Sequence, residues 1–117
     1  MDYVLLKKED MQANDFNGGK VEYYANKELT GTDYTLGFCT ISPGGQNPLH
    51  YHPNSDETLH VIKGKIIHSV KDENIEMTAG DTIMISAGIA HNARNIGDEE
   101  AVLAIAFSTG ERKAVWV

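Results

Sequence analysis

The chain has 117 residues and a mass of 12.9 kDa, 41% hydrophobic and 23% charged, which suits one globular domain, residues 1–117, with an apolar core of its own. Ten basic and seventeen acidic residues give a formal charge of −7 with histidines neutral; no basic cluster interrupts it, so nucleic acid and anionic membrane are not expected as partners. A lone cysteine, Cys39, excludes an intrachain disulfide, and no run approaches the ~20 apolar residues of a membrane span, so a soluble cytoplasmic protein is expected.

Short runs rich in β-branched and aromatic residues recur between Gly, Asn, Asp and Pro, and no window carries a sustained apolar stripe of helical period. The pattern predicts an all-β chain. In order, the expected strands are Tyr3–Leu6, Val21–Ala25, Tyr34–Ser42, Leu49–His52, Glu57–Lys63, Ile66–Lys71, Ile75–Thr78, Thr82–Ser86, His91–Asn95, Val102–Phe107 and Ala114–Val117. Residues 7–20 are the most polar stretch and read as a surface loop with a helical turn. Lys63-Gly64-Lys65, Lys71-Asp72-Glu73-Asn74 and Ala79-Gly80-Asp81 supply tight-turn chemistry, and the runs they join are expected to pair as hairpins. Regularly spaced short strands without linker or repeat predict a sandwich or barrel.

The chemistry concentrates in the middle third. In His50-Tyr51-His52 the two imidazoles sit at i and i+2 of a strand, so they share one face and can converge on one point. Glu57 lies at an odd offset from them. The turn-forming Pro53-Asn54-Ser55-Asp56 lets the chain fold back and start a new strand with Glu57 beside both histidines. His91, after a strand and a Gly-containing turn, is the fourth candidate. Three imidazoles and one carboxylate suit a first-row ion such as Mn, Fe, Co, Ni, Cu or Zn, and disfavour Ca and Mg, which prefer oxygen shells. A lone His-x-His in a β protein is more often packing than a site, so the surrounding frame decides. His60 alternates away from Glu57, Leu59 and Val61 and reads as structural or interfacial; the facing of His68 is not fixed by the pattern. Arg94 has no assignable role.

That frame is specific. Gly44 to Gly64 matches Gly-x5-His-x-His-x4-Glu-x6-Gly at every fixed position, and Gly80-x5-Ser86-x-Gly88-x2-His91-x3-Asn95 matches a second pattern, with Ser86 where proline is usual. These are the two cupin signatures, and the chain resembles a single-domain cupin; residues 44–53 are further similar to germins. The resemblance implies a double-stranded β-helix, or jelly-roll barrel, with one divalent transition metal ion (Mn, Fe, Ni or Zn) held by His50, His52, Glu57 and His91. The resemblance alone chooses no reaction; the intact ligand set leads to the expectation of a small metal-dependent, oxidoreductase-like enzyme acting on a polar small organic molecule, with oxidase- or dioxygenase-like chemistry ahead of an isomerase or lyase, or of a non-catalytic binding cupin. Phe38, Tyr51, Met84 and Phe107 are available as pocket walls. Outward-facing apolar residues such as Ile62 lead to the expectation of a homodimer with His60 near its interface.

Overall fold

A computed structural model of the chain describes Asp2–Val117. Its strands are β1 Gln12–Phe16, β2 Gly19–Ala25, β3 Thr35–Ile41, β4 His50–Tyr51, β5 Glu57–Lys63, β6 Lys65–Val70, β7 Glu73–Thr78, β8 Thr82–Ile85, β9 His91–Asn95, β10 Ala101–Phe107 and β11 Val115–Trp116. A single helical turn, α1 Lys27–Thr30, is capped by the Asn26 side chain, which accepts from the Leu29 amide at 2.7 Å. The strands form two antiparallel sheets, ordered β1-β2-β3-β10-β5-β8 and β11-β4-β9-β6-β7. This is the jelly-roll barrel that the motifs imply. No helix among the described residues is long and apolar enough to cross a membrane.

Strict alternation builds the interior. Thr35, Gly37, Cys39 and Ile41 of β3 and Ala101, Leu103, Ile105 and Phe107 of β10 are buried, while the residues between them face outward. Toward one end, Ile41, Val61 and Leu103 of the larger sheet join Ile66, Met77 and Ala93 of the smaller in one apolar cluster. Asn95 closes that end with hydrogen bonds to backbone: its Nδ2 donates to the carbonyls of Ile41 (2.9 Å) and Glu99 (2.8 Å), and its Oδ1 accepts from the Gly97 amide (2.8 Å). The apolar filling stops toward the other end. There the inward positions are His50, His52, Glu57, His68 and His91, all buried.

The structure corrects three sequence expectations. Tyr3–Leu6 is not a strand: Tyr3 and Leu5 are exposed and pair with neither sheet, because the edge beside β2 is taken by a different segment. That segment is Gln12–Phe16, inside the stretch read as a loop. Asn17-Gly18 turns it directly onto β2, Phe16 opposite Gly19, and Gly18 sits at φ +102°, a left-handed conformation available cheaply only to glycine. Residues Lys8–Asp10 do form a 3-10 turn. Finally, of the three hairpins expected at Gly64, Lys71-Asp72 and Gly80, only the second forms, joining β6 to β7. Gly64 and Gly80 are corners at which the chain crosses from one sheet to the other, so β5 pairs with β10 and β8 instead of β6. A Cβ on Gly64 would lie 2.9 Å from Ala101 Cα, so backbone proximity as well as its φ of +93° keeps that corner glycine.

Candidate metal centre

His50 on β4 is registered opposite His91 on β9, which places their ring centroids 4.5 Å apart. His52, two residues beyond His50, projects the same way with its ring 4.8 Å from that of His50. Glu57 arrives from the facing sheet as the first residue of β5. The intervening turn carries the chain across the barrel mouth, with buried Ser55 accepting from the Ser108 amide at 3.0 Å and donating to the Asp56 carbonyl at 2.7 Å. One potential ligand atom from each of His50, His52, Glu57 and His91 lies within 4.8 Å of every other. The structure thus brings together all four candidates singled out in the sequence.

Backbone carbonyls orient the rings. Nδ1 of His50 donates to Pro48 O (2.7 Å), Nδ1 of His52 to Lys113 O (2.9 Å) and Nδ1 of His91 to Ile89 O (2.9 Å). A carbonyl can only accept, so each Nδ1 carries the proton and each neutral ring offers an Nε2 lone pair. His91 Nε2 lies 2.9 Å from Glu57 Oε1, an acceptor facing an acceptor unless a proton sits between them. His52 Nε2 is 3.2 Å from the same oxygen but is not aligned for a hydrogen bond, and has no other partner. A divalent cation resolves both conflicts by replacing the shared proton and accepting the unused lone pairs. The donor set therefore fits a metal ion.

The titration of these groups follows the same geometry. Burial alone would raise the Glu57 carboxyl, but its close contacts with the His52 and His91 rings outweigh it and hold the group well below the usual carboxylate range. Burial pulls His91 down, yet its contact with Glu57 leaves it raised overall, consistent with the proton between them. His50 is lowered to about 4, first by burial, with the Pro48 carbonyl opposing. At neutral pH its nitrogen is free to ligate.

His60 is exposed and hydrogen-bonded to Thr82 Oγ1 at 2.7 Å, on the outer face as alternation requires. Arg94 is exposed on β9, away from the cluster. His68 is buried beside His91, ring centroids 5.4 Å apart, and neither of its nitrogens has a partner. Burial holds it at about 4.

A cavity of about 370 Å³ opens onto His50, His52 and Glu57. Of the four aromatic or sulfur side chains considered for its walls, only Phe107 lines it. Phe38 instead packs on Tyr24 at 5.2 Å, Met84 is exposed, and Tyr51 points away from the two histidines that flank it. Tyr23, Arg112 and Trp116 line the cavity without having been anticipated. The last two belong to a C-terminal strap. Lys113 braces His52 through its carbonyl, the Asn54 side chain bonds the backbone of Glu111 and Lys113, and β11 pairs with β4, setting the Trp116 ring 5.4 Å from His50. Sequence spacing gave no sign that residues so far from the histidines would reach them.

Comparison with known proteins agrees with this architecture. The family described as "Cupin domain" matches residues 37–107. The chain is 30% identical over 94 residues to the polyketide synthase CurC of Streptomyces cyaneus, covering 80% of this chain and 61% of that protein. It is 31% identical over 113 residues to oxalate oxidase 1 of Hordeum vulgare, covering 86% of this chain and 56% of the other. A solved structure of Bacillus subtilis oxalate decarboxylase, studied for its Mn(II) centres, superposes with a TM-score of 0.82 at 27% identity over 91% of this chain and 30% of that one. The chain thus spans less than two thirds of each of these relatives.

Proposed function

Because the chain belongs to the cupin family, we propose that its His50, His52, Glu57 and His91 hold one divalent transition ion and that the protein is a metalloenzyme acting on a small organic molecule, with oxidative chemistry ahead of isomerisation or lysis. The observation that carries this reading is the set of three Nδ1–carbonyl hydrogen bonds, which turn three Nε2 lone pairs and one carboxylate toward a common point at the floor of a cavity. Similarity to an oxalate oxidase and to a decarboxylase with Mn(II) centres supports manganese and a carboxylic acid substrate. A bound ion would supply Lewis acidity at the cavity floor and a coordination position for substrate. The chain's own part is to hold the donors in one tautomer, to shield them with the buried Phe107 ring, and to keep Glu57 ionised.

The test is direct. The protein is purified without chelator, its metal content is measured, and O2 uptake and CO2 release are followed with dicarboxylates, α-keto acids and diketones. About one Mn or Fe per chain, with turnover that disappears on chelation and returns on adding the ion, is expected; protein that binds none of Mn, Fe, Ni or Zn would overturn the reading. Thermal stabilisation by a compound recovered unchanged would favour the binding-module alternative.

The outer face of the larger sheet supports a homodimer: Ile62 and Met84 are exposed there, on β5 and β8. Sedimentation showing only a 12.9 kDa species at high concentration would remove that assignment. The buried free thiol, Cys39, supports a reducing, cytoplasmic setting.

A further inference from the structure

The cavity above the histidines is built for more than a two-carbon acid. At about 370 Å³ it falls within the ~300–1,000 Å³ typical of organic-ligand pockets. Its walls include Phe16, Val21, Leu59, Leu103, Ile105 and Phe107. A small dicarboxylate enclosed by such walls would lose hydration along them and recover hydrogen bonds only from the few polar groups among the lining. An apolar body would instead gain from burial against them.

The cavity also carries one basic side chain. Arg112 is half-buried, and among the described residues no ion pair includes it, whereas Lys20, Lys27 and Lys65 each face a glutamate. Its guanidinium lies 4.9 Å from the Tyr23 ring centroid and 5.1 Å from that of Phe107, and it donates to the Tyr23 hydroxyl. Those contacts fix the fork by one donor and two ring faces and leave further N–H groups for a planar oxyanion. The acidic groups of the same wall do not occupy it: Asp15 is exposed at the rim and Glu57 is engaged with the histidines. The Phe107 ring bridges the distance to the site, 5.1 Å from the guanidinium on one side and 4.9 Å from the His52 ring on the other.

We propose that this cavity takes a carboxylic acid with an apolar, ring-sized body, its carboxylate paired with Arg112, and that Arg112 is the specificity-determining residue that selects such acids over neutral analogues, while the apolar walls favour them over oxalate. The inference rests on the metalloenzyme reading for what happens to the acid, but the binding step can be tested without it. Binding of 3-phenylpropanoate, its neutral amide and oxalate is measured by calorimetry on the full chain, metal-free and loaded with Mn(II). Expected is at least a 10-fold preference for the acid over the amide in both forms, and tighter binding of 3-phenylpropanoate than of oxalate to the metal-free protein. Arg112→Met should abolish the acid preference and leave Mn(II) stoichiometry unchanged, while Arg112→Lys should retain part of the preference. Equal affinity for acid and amide, or a preference that survives in Arg112→Met, would overturn the inference. If Arg112→Met does not fold, the wild-type acid-to-amide ratio and the Lys variant decide. Failure to bind any of Mn, Fe, Ni or Zn would defeat the metalloenzyme reading alone, because the ratio in metal-free protein is read separately.

Discussion

Asn95, the last fixed residue of the second signature, sits at the opposite end of β9 from His91, so its contribution should appear in stability and not in metal binding. Replacing it by Leu removes three hydrogen bonds. Each contributes about 0.5–1.5 kcal/mol net, and a carbonyl left buried without a donor costs about 1–3 kcal/mol. The bond to Ile41 O lies fully inside the protein, so that carbonyl bears the larger penalty; those to Glu99 and Gly97 lie nearer the surface, where water can replace them. Allowing for the apolar surface that Leu itself buries, Asn95→Leu should lower the unfolding free energy by about 2–4 kcal/mol, and the melting temperature by on the order of 10 °C for a domain of this size. Urea denaturation of chelator-treated protein gives the first number, and metal analysis after reconstitution gives the second readout, expected to equal that of wild type. A loss below about 1 kcal/mol, or intact stability with lost metal, would refute the assignment of Asn95 to the scaffold.

Other consequences of the structure can be measured in the same way. Glu57→Gln and His52→Ala each remove one of four donors and should lower metal affinity by more than about 100-fold, read by competition with a chromogenic chelator. Removing residues 111–117 takes away the Lys113 carbonyl that orients His52, and should cost about 10–100-fold in affinity while the sheets remain folded by circular dichroism. Burial pushes the Cys39 thiol from its ordinary value near 9 up to about 12. Above pH 9 the unfolded chain therefore loses a proton that the folded chain keeps, and stability falls by about 1.4 kcal/mol per pH unit until the folded value is reached. Cys39→Val should flatten that alkaline slope and leave stability below pH 9 independent of this group. Gly64→Ala combines a left-handed φ with a 2.9 Å approach to Ala101, whereas Gly80→Ala has the φ alone with open space around its Cβ; thermal melts should show the first to be the more damaging by about 1 kcal/mol or more.

The ligand set was legible because it is local in sequence and periodic in space: two histidines at i and i+2, a turn, a glutamate, and a histidine heading a later strand. The β class followed from short β-branched and aromatic runs set between turn residues, and the outward facing of His60 from alternation. What the sequence did not display were relations between distant segments. Gln12–Phe16 is mostly polar, with Phe16 its one strand-like residue, and becomes a strand because Asn17-Gly18 turns it against β2. Tyr3–Leu6 has the opposite defect, strand-like residues with no neighbour. The turns at Gly64 and Gly80 carry hairpin chemistry yet make corners, since β5 finds better partners in β10 and β8 than in the next strand along the chain. Arg112 and Trp116 belong to the cavity through a strap whose hydrogen bonds to residues 49–54 have no counterpart in spacing.

That strap has a consequence for how the centre comes into being. The imidazole of His52 is oriented by a carbonyl supplied sixty-one residues later, and Glu57 meets His91 across the gap between two sheets whose strands are drawn from both halves of the chain. A nascent polypeptide that has presented only the His-x-His pair has neither the carboxylate geometry nor the fixed tautomer. An ion held by all four donors would therefore be taken up only once Lys113 has docked against His52 and Glu57 has met His91 across the barrel. The free ion concentrations around the folded chain, weighed against the general preference of nitrogen sites for the later first-row metals, would then decide which one enters.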